Sequence, residues 1–502
     1  MIFLPLSLLA SLISILFIAI LLKCFSKSQN ILPPSPWKLP VIGNLHQLGK
    51  HPHRSLQMLS KKYGPLMLLQ LGKNPALIVS SADAAHEILK THDLVFSNRA
   101  KTSVHDRLLY GSKDMAFTSY GEYWRQVRSI CVIQLLSNTR VQSFNGVREE
   151  ETLLMVKKIR ELCSVSRHLG MNLSDILREF TSDVFCRIAL GRKYANGETG
   201  NKFKFLLNET VELLGEFNVG SYIPWLRWVD RLNGLDKRVE IVAKEFDKFL
   251  QRVVDEHRDD KSKTSTEVGP TDFVDILLEL QRQGKAGFSI QIDTVKAVIL
   301  DMFLAGSGSI FALLEWSMTQ LLRNPKVLEK LQNEVRQIAQ GKSSVTEDDV
   351  PKMQYLKAVT KESLRLHPPI PVIPRESIQD VRVMGYDIDA KTQVFINAWA
   401  LGRDPSLWEK PEEFQPGRFF KTDVDFKGFD FEFIPFGSGR RGCPGSQFTL
   451  AVSELALANL LLNFNFELVD KPKAKDLDIV ESTGVAVHKK YPLIVLATPC
   501  SC

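Results

Sequence analysis

The sequence predicts a mainly α protein with small β-sheets, and three observations lead there. Near residue 64, "GPLMLLQLGKNPALIVSS" offers two short strand-like runs around a Gly-Lys-Asn-Pro turn, a hairpin signal. From about Ala82 to His367 the apolar residues recur with mostly helical spacing. Beyond His367 the chain turns Pro-rich and strand-like, then gives one more strong helix from about Gln447 to Asn463 and short strands to the end. No regular alternation of strand and helix argues for a doubly wound sheet. At 502 residues the chain exceeds the roughly 250–300 at which single cores stop growing, so a large two-lobed body is expected.

The elements follow in order. Ile2 to Leu22 form an almost unbroken apolar run followed by Lys23 and Lys27, which makes residues 1–27 a membrane anchor. A cleaved signal would have a shorter apolar core, a basic flank before it and a small-residue cleavage motif after it. Positive charge on the C-terminal side leaves the body in the cytosol. The prolines of "ILPPSPWKLP" make residues 28–40 a stiff hinge, and residues 41–502 form the globular body. Within it, "EHRDDKSKTSTEVGPTD" (256–272) reads as an exposed loop.

The chain carries 64 basic and 57 acidic side chains, a net charge of +7. This charge is diffuse and no basic run is interleaved with aromatics, which excludes a nucleic-acid partner and suits a membrane surface or an acidic protein. Seven scattered cysteines in a reducing compartment give no disulfide framework, so any that matters acts as a ligand or nucleophile.

The densest chemical signal is "FIPFGSGRRGCPGSQF", Phe433 to Phe448. Glycines surround Cys443 and a helix begins directly after it, so N–H groups and the helix dipole should favour thiolate. A thiolate in a loop that lets backbone approach a flat partner suits the axial ligand of a haem iron. Phe436, Gly439, Arg441, Cys443 and Gly445 stand as FxxGxRxCxG. This pattern resembles the haem-binding signature of cytochromes P450. "KESLR" (Glu362, Arg365) resembles the family's ExxR, and "QPGRFF" supplies Arg418, similar to the arginine of its PERF segment. The resemblance implies a buried ion network of these three. "YWRQVR" places Trp124 and Arg128 as WxxxR and "IPRES" places Arg375; by resemblance these reach the haem propionates. With the anchor and the "PPSP" hinge, the whole chain resembles plant microsomal P450s of specialised metabolism, of the A type or 71 clan. The resemblance implies haem b, an NADPH-cytochrome P450 reductase as partner, and residence in the endoplasmic reticulum membrane. The reductase would meet a surface that includes Arg440 and the Arg125 to Arg140 region.

The long helix carrying "DMFLAGSGSIFALLEW" (301–316) interrupts an apolar run with small residues. Each interior glycine costs a helix roughly 1 kcal/mol relative to Ala, so the small surface needs a reason. In the family this helix passes over the distal face of the haem, and Gly306 and Gly308 would provide room there for oxygen and substrate. The family pattern is AGxDT or AGxET, whereas Gly308 and Ser309 stand at the acid and threonine positions. That pair relays the protons consumed when dioxygen is cleaved; a hydroxyl shares this work and a glycine does not. Asp301 and Glu315 lie about two turns away, too far to replace the acid directly. Two further departures are Gly417 at the PERF glutamate and only Val372 and Ile373 between "HPPIP" and "PRE". Substrate contacts by resemblance span Arg99 to Tyr120, Phe303 to Ser309 and Pro369 to Ile373, largely apolar segments that suit a small or medium apolar substrate. The expected activity is a haem-thiolate monooxygenase. The alternative is an aldoxime dehydratase or oxidative cyclase giving a product without inserted oxygen. "LLGEFNVGSYIPWLRWVD" (213–230) resembles the subgroup that includes such dehydratases.

Overall fold

The computed structural model describes residues 31–165, 170–194, 197–263, 272–284, 289–469 and 476–500. The anchor at 1–27 lies outside the described residues.

The expected hairpin forms from β1 (Leu66–Leu71) and β2 (Asn74–Val79), paired antiparallel with Leu71 opposite Asn74. Its tight turn places Gly72 at φ 57°, where an added Cβ would overlap the Tyr222 carbonyl. The hairpin recruits β3 (Ile373–Glu376) and β4 (Gln393–Ile396) in the order β1-β2-β4-β3, with β2 and β4 parallel. A second sheet pairs β5 (Phe464–Leu468) with β6 (Ile494–Pro499), and Met171–Asn172 adds to it. Before β1 the hinge residues 31–38 are neither helix nor strand, as their prolines require.

Six helices position the site: α1 (Ser103–Leu108), α2 (Glu122–Ile130), α3 (Leu173–Leu190), α4 (Ile292–Arg323), α5 (Gln354–Leu366) and α6 (Ser446–Asn463). The 32-residue α4 is apolar on all sides, and such a helix belongs in a core. It is long and apolar enough to cross a membrane, yet most of its apolar window is buried inside the protein. It packs against α3, α5 and α6, and Phe180, Val184, Val298, Phe303, Val452 and Leu455 share one core.

The exposed loop expected at 256–272 is corrected. A helix Leu235–Lys263 runs through its first half, with Arg258 and Asp259 exposed on it. Asp272 is buried and caps the helix Phe273–Gln283, accepting the Asp275 N–H at 2.9 Å, and its other oxygen lies 2.9 Å from His257 Nε2. Residues 264–271 of that stretch lie outside the described residues.

Candidate active site

Cys443 sits three residues before α6, in a loop folded back on itself by the Cys443 N–H donating to Phe436 O at 2.8 Å. Gly437 and Gly439 both have φ 69°, a conformation that favours glycine. A Cβ on Gly439 would also overlap Asp93 and lie 2.7 Å from the Leu89 carbonyl. Phe436 packs edge-on to Phe426, centroids 5.6 Å apart, which ties the loop's start to the small core containing Leu313, Leu364 and Phe433. The sulfur has solvent-accessible surface, but burial is the largest influence on its pKa, which it pushes up. Both hold for an atom deep in the protein that faces an internal space. The Gly445 N–H and Arg128 pull the other way without overcoming burial. The thiolate expected from the loop and helix end is therefore not secured by the protein alone; a bound metal cation would supply the missing stabilisation.

Behind the loop, Glu362 and Arg365 form a bidentate pair at 2.7 and 2.8 Å, both side chains fully buried. Arg418 Nε reaches the same carboxylate at 3.1 Å, and the Gln415 N–H donates to it at 2.8 Å. The remaining guanidinium hydrogens go to carbonyls: Arg365 to Gly402, Pro411 and Glu413, Arg418 to Glu409. Gly417 leaves this anchoring of the PERF-like segment intact, because its neighbours Gln415 and Arg418 make the contacts.

On the other side of the loop several guanidiniums converge. Arg375, 1% exposed, donates to Pro374 O at 3.0 Å and Ser438 O at 3.3 Å. Arg441 donates to the carbonyls of Ser97, Met115 and Thr118 at 2.8, 3.1 and 2.5 Å. Arg128 donates to Gly442 O at 2.8 Å. Trp124 lies under both Arg441 and Arg128 and donates its indole N–H to Met115 O at 3.0 Å. Arg99 joins them, donating to Pro374 O while its buried Nε has no partner. Burial and the neighbouring Arg99 and Arg128 pull Arg441 down to about 9, and burial pulls Arg99 down to about 10. Two carboxylates stand opposite. Burial raises Asp114 to about 6, and burial with the adjacent Asp114 raises Asp301 well above the carboxylate range.

Above the loop runs α4. Its burial is continuous from Thr294 to Phe303 and again from Ile310 to Leu322. Between them Ala305 is exposed although it lies in mid-helix between two buried runs. The room expected at both glycines is corrected for one of them. A Cβ on Gly306 would overlap the Phe185 ring of α3, so that glycine makes space for a neighbouring side chain. A Cβ on Gly308 would meet nothing within 4 Å, so that position is open. The Ser309 hydroxyl turns back on its own helix, donating to Ala305 O at 2.7 Å.

The family profile described as Cytochrome P450 matches residues 33–495. The chain belongs to the cytochrome P450 family. Cytochrome P450 71A4 of Solanum melongena is 55% identical over 495 residues, covering 97% of this chain and 97% of its own length. Norfluorocurarine oxidase of a Strychnos species is 52% identical over 97% of each, and (+)-menthofuran synthase of Mentha piperita is 49% identical, covering 97% of this chain and 98% of its own length. A zebra fish cytochrome P450 solved with abiraterone superposes with TM-score 0.75 at 26% identity, covering 90% of this chain and all of that one. This P450 is thus a plant A-type member of a haem-thiolate family whose cofactor is haem b.

The residues present fit that group. Arg99, Arg128, Arg375 and Arg441 converge there, and burial disfavours ionisation of the facing Asp301 and Asp114, so the cluster is net positive and suits the carboxylates of propionates. The unpartnered Arg99 Nε is a donor awaiting an acceptor. The structure brings Cys443, Phe436, Gly439, Arg441, Gly445, Trp124, Arg128 and Arg375 into one neighbourhood, with Glu362, Arg365 and Arg418 bracing it from behind. Sequence reasoning gave the segment holding Arg99 and Asp114 to substrate contact and weighed Asp301 only as a replacement acid. Their partners come from distant segments, and no local spacing announces them.

Proposed function

We propose that the chain is a membrane-anchored haem-thiolate monooxygenase of the endoplasmic reticulum, with residues 2–22 in the bilayer and the catalytic body in the cytosol. It oxidises a small apolar plant specialised metabolite with dioxygen and with electrons from NADPH, passed on by an NADPH-cytochrome P450 reductase. The observation that carries the reading is the cysteine loop braced by Glu362, Arg365 and Arg418 beside a cluster of guanidiniums that the facing carboxylates do not balance. Cys443 would ligate the haem iron, and Trp124, Arg128, Arg375 and Arg441, together with Arg99, would hold its propionates. When bound, thiolate-ligated haem supplies the electron donation that favours O–O cleavage.

The chain's own part is positioning, dryness and protons. The apolar segments of α4 exclude water, and open space at Gly308 and Ala305 admits reactants. Ser309 Oγ holds a proton that is released from the Ala305 carbonyl by one side-chain rotation. Relatives named as norfluorocurarine oxidase and (+)-menthofuran synthase support oxidation of a largely apolar plant molecule. For the partner, the structure pairs Arg440 with Asp93 at 2.5 Å, so the charge offered to an acidic reductase falls on the exposed Arg125 and half-buried Arg140.

A second reading has one observation in its favour. With no acid at 308 and Ser309 bound to its own helix, the site also suits aldoxime dehydration or oxidative ring closure, which need no complete proton relay. Isotope tracing separates the two: microsomes with this protein and a reductase, NADPH, heavy-isotope dioxygen, and a plant extract containing aldoximes. A product with one heavy oxygen supports the monooxygenase. A product lighter by water or two hydrogens, without heavy oxygen, overturns it for the dehydratase or cyclase.

A further inference from the structure

Asp301 stands within the buried run Thr294–Phe303 of α4 and is itself buried. An acid among apolar neighbours needs hydrogen bonds that offset its desolvation. It finds them on the segment between α1 and α2, where its Oδ2 accepts the Met115 N–H at 2.5 Å and the Ala116 N–H at 3.2 Å. Burial disfavours the charged form, and Oδ2 accepts both hydrogens whether or not Oδ1 carries a proton. The carboxyl therefore serves here as an acceptor rather than as a charge.

What it holds gives that bond its consequence. The Ala116 N–H and the Met115 carbonyl belong to one planar peptide group and point in opposite directions. The carbonyl end accepts Arg441 Nη1 at 3.1 Å and the Trp124 indole N–H at 3.0 Å. A continuous chain of hydrogen bonds thus runs from α4 through a single peptide to two side chains of the guanidinium cluster. Bonds in such a chain polarise one another, so an acceptor on the N–H makes the carbonyl a stronger acceptor in turn. Residues 109–121 form neither helix nor strand, and no backbone ladder sets the orientation of this peptide. Asp114 assists from within the turn, its carboxyl accepting the Phe117 N–H at 2.7 Å and, more weakly, that of Ala116. Only Asp301 ties the peptide to another element, the helix that crosses above the cysteine loop.

We propose that Asp301 is a positioning residue of the cofactor clamp. By holding the Met115–Ala116 peptide it fixes the oxygen on which Arg441 and Trp124 are oriented, and so makes retention of the cofactor depend on the distal helix. The proposal rests on reading the guanidinium cluster as the propionate site of a haem-thiolate enzyme. It assigns Asp301 no contact with substrate or haem, since its effect passes through one backbone carbonyl.

The test uses the full-length haem-loaded protein and measures the rate at which haem passes to excess apomyoglobin. Asp301→Ala should speed that transfer about five- to tenfold, the yield of one net hydrogen bond. Asp301→Asn, whose amide oxygen accepts the same two N–H groups, should bring the rate back to within about twofold of wild type. Trp124→Phe removes a donor from the far end of the chain. Because both substitutions act through one oxygen, the double variant Asp301→Ala with Trp124→Phe should lose haem little faster than the faster single variant. An unchanged rate in Asp301→Ala, an Asn variant as fast as the Ala variant, or effects that multiply in the double variant each overturn the proposal. Should Asp301→Ala not accumulate as folded protein, amide hydrogen exchange at Ala116 in wild type and Trp124→Phe decides. Loss of the donor across the peptide should speed that exchange several-fold, and equal exchange overturns the proposal. Absence of the thiolate carbon monoxide band in wild type would instead overturn the haem-thiolate reading beneath it.

Discussion

Around Cys443, charge and backbone hydrogen bonds hold nearly every residue: Cys443 to Phe436, Arg128 to Gly442, Arg375 to Ser438, Arg441 to three carbonyls. Across the interior space, α4 is held by apolar packing up to Phe303 and again from Ile310, and its small residues 304–309 are left loosely covered. The loop's identity resides in directional bonds that demand particular residue types at particular spacings. The helix's character resides in which neighbour fills each gap, which no spacing records. This is why the cysteine side matches its family pattern closely while the helix side departs from it without disturbing the fold.

The sharpest way to break the contrast is to remove the loop's centre. Cys443→Ala should abolish the thiolate carbon monoxide band altogether; a variant that kept it would move the ligand elsewhere. Next in size, Glu362→Ala strands two guanidiniums, one fully buried and one nearly so, and should cost about 3–5 kcal/mol, seen as a lowered unfolding midpoint and loss of haem. If the midpoint held, the network would not be the brace described.

The helix side predicts smaller effects of opposite sign for two glycines two positions apart. Gly306→Ala drives a methyl into Phe185 and should destabilise by about 1–3 kcal/mol. In a Phe185→Leu background most of that cost should vanish, and additive costs in the double variant would contradict the contact. Gly308→Ala meets open space and should raise stability by about 0.5–1 kcal/mol through helix propensity alone. A destabilised Gly308→Ala would mean that something fills the gap.

Much of the cysteine side was legible in the sequence because its bonds are local or typed: glycines where φ is positive, an i, i+3 acid and arginine on α5, an arginine in the PERF-like turn. The hairpin and the helices were legible from periodicity. Charge misread 256–263, because a solvated helix face and a loop share a composition. Long-range packing hid the rest. Nothing near Gly306 names Phe185, and nothing near Asp301 names Met115 or Asp114. The N–H groups and helix end that the sequence supplies do not by themselves outweigh burial at Cys443, so the thiolate draws on the bound metal as well.

The central claim is that the cysteine side is complete and that the distal side lacks one acid, with space left where it would stand. The most direct test compares wild type with Gly308→Asp in reductase-supplemented microsomes, measuring hydrogen peroxide released per NADPH consumed in the presence of a turned-over substrate. With the acid restored in open space, peroxide release should fall several-fold and product per NADPH should rise. Unchanged peroxide release, with the thiolate band intact, would contradict the account by showing that the proton supply never depended on position 308.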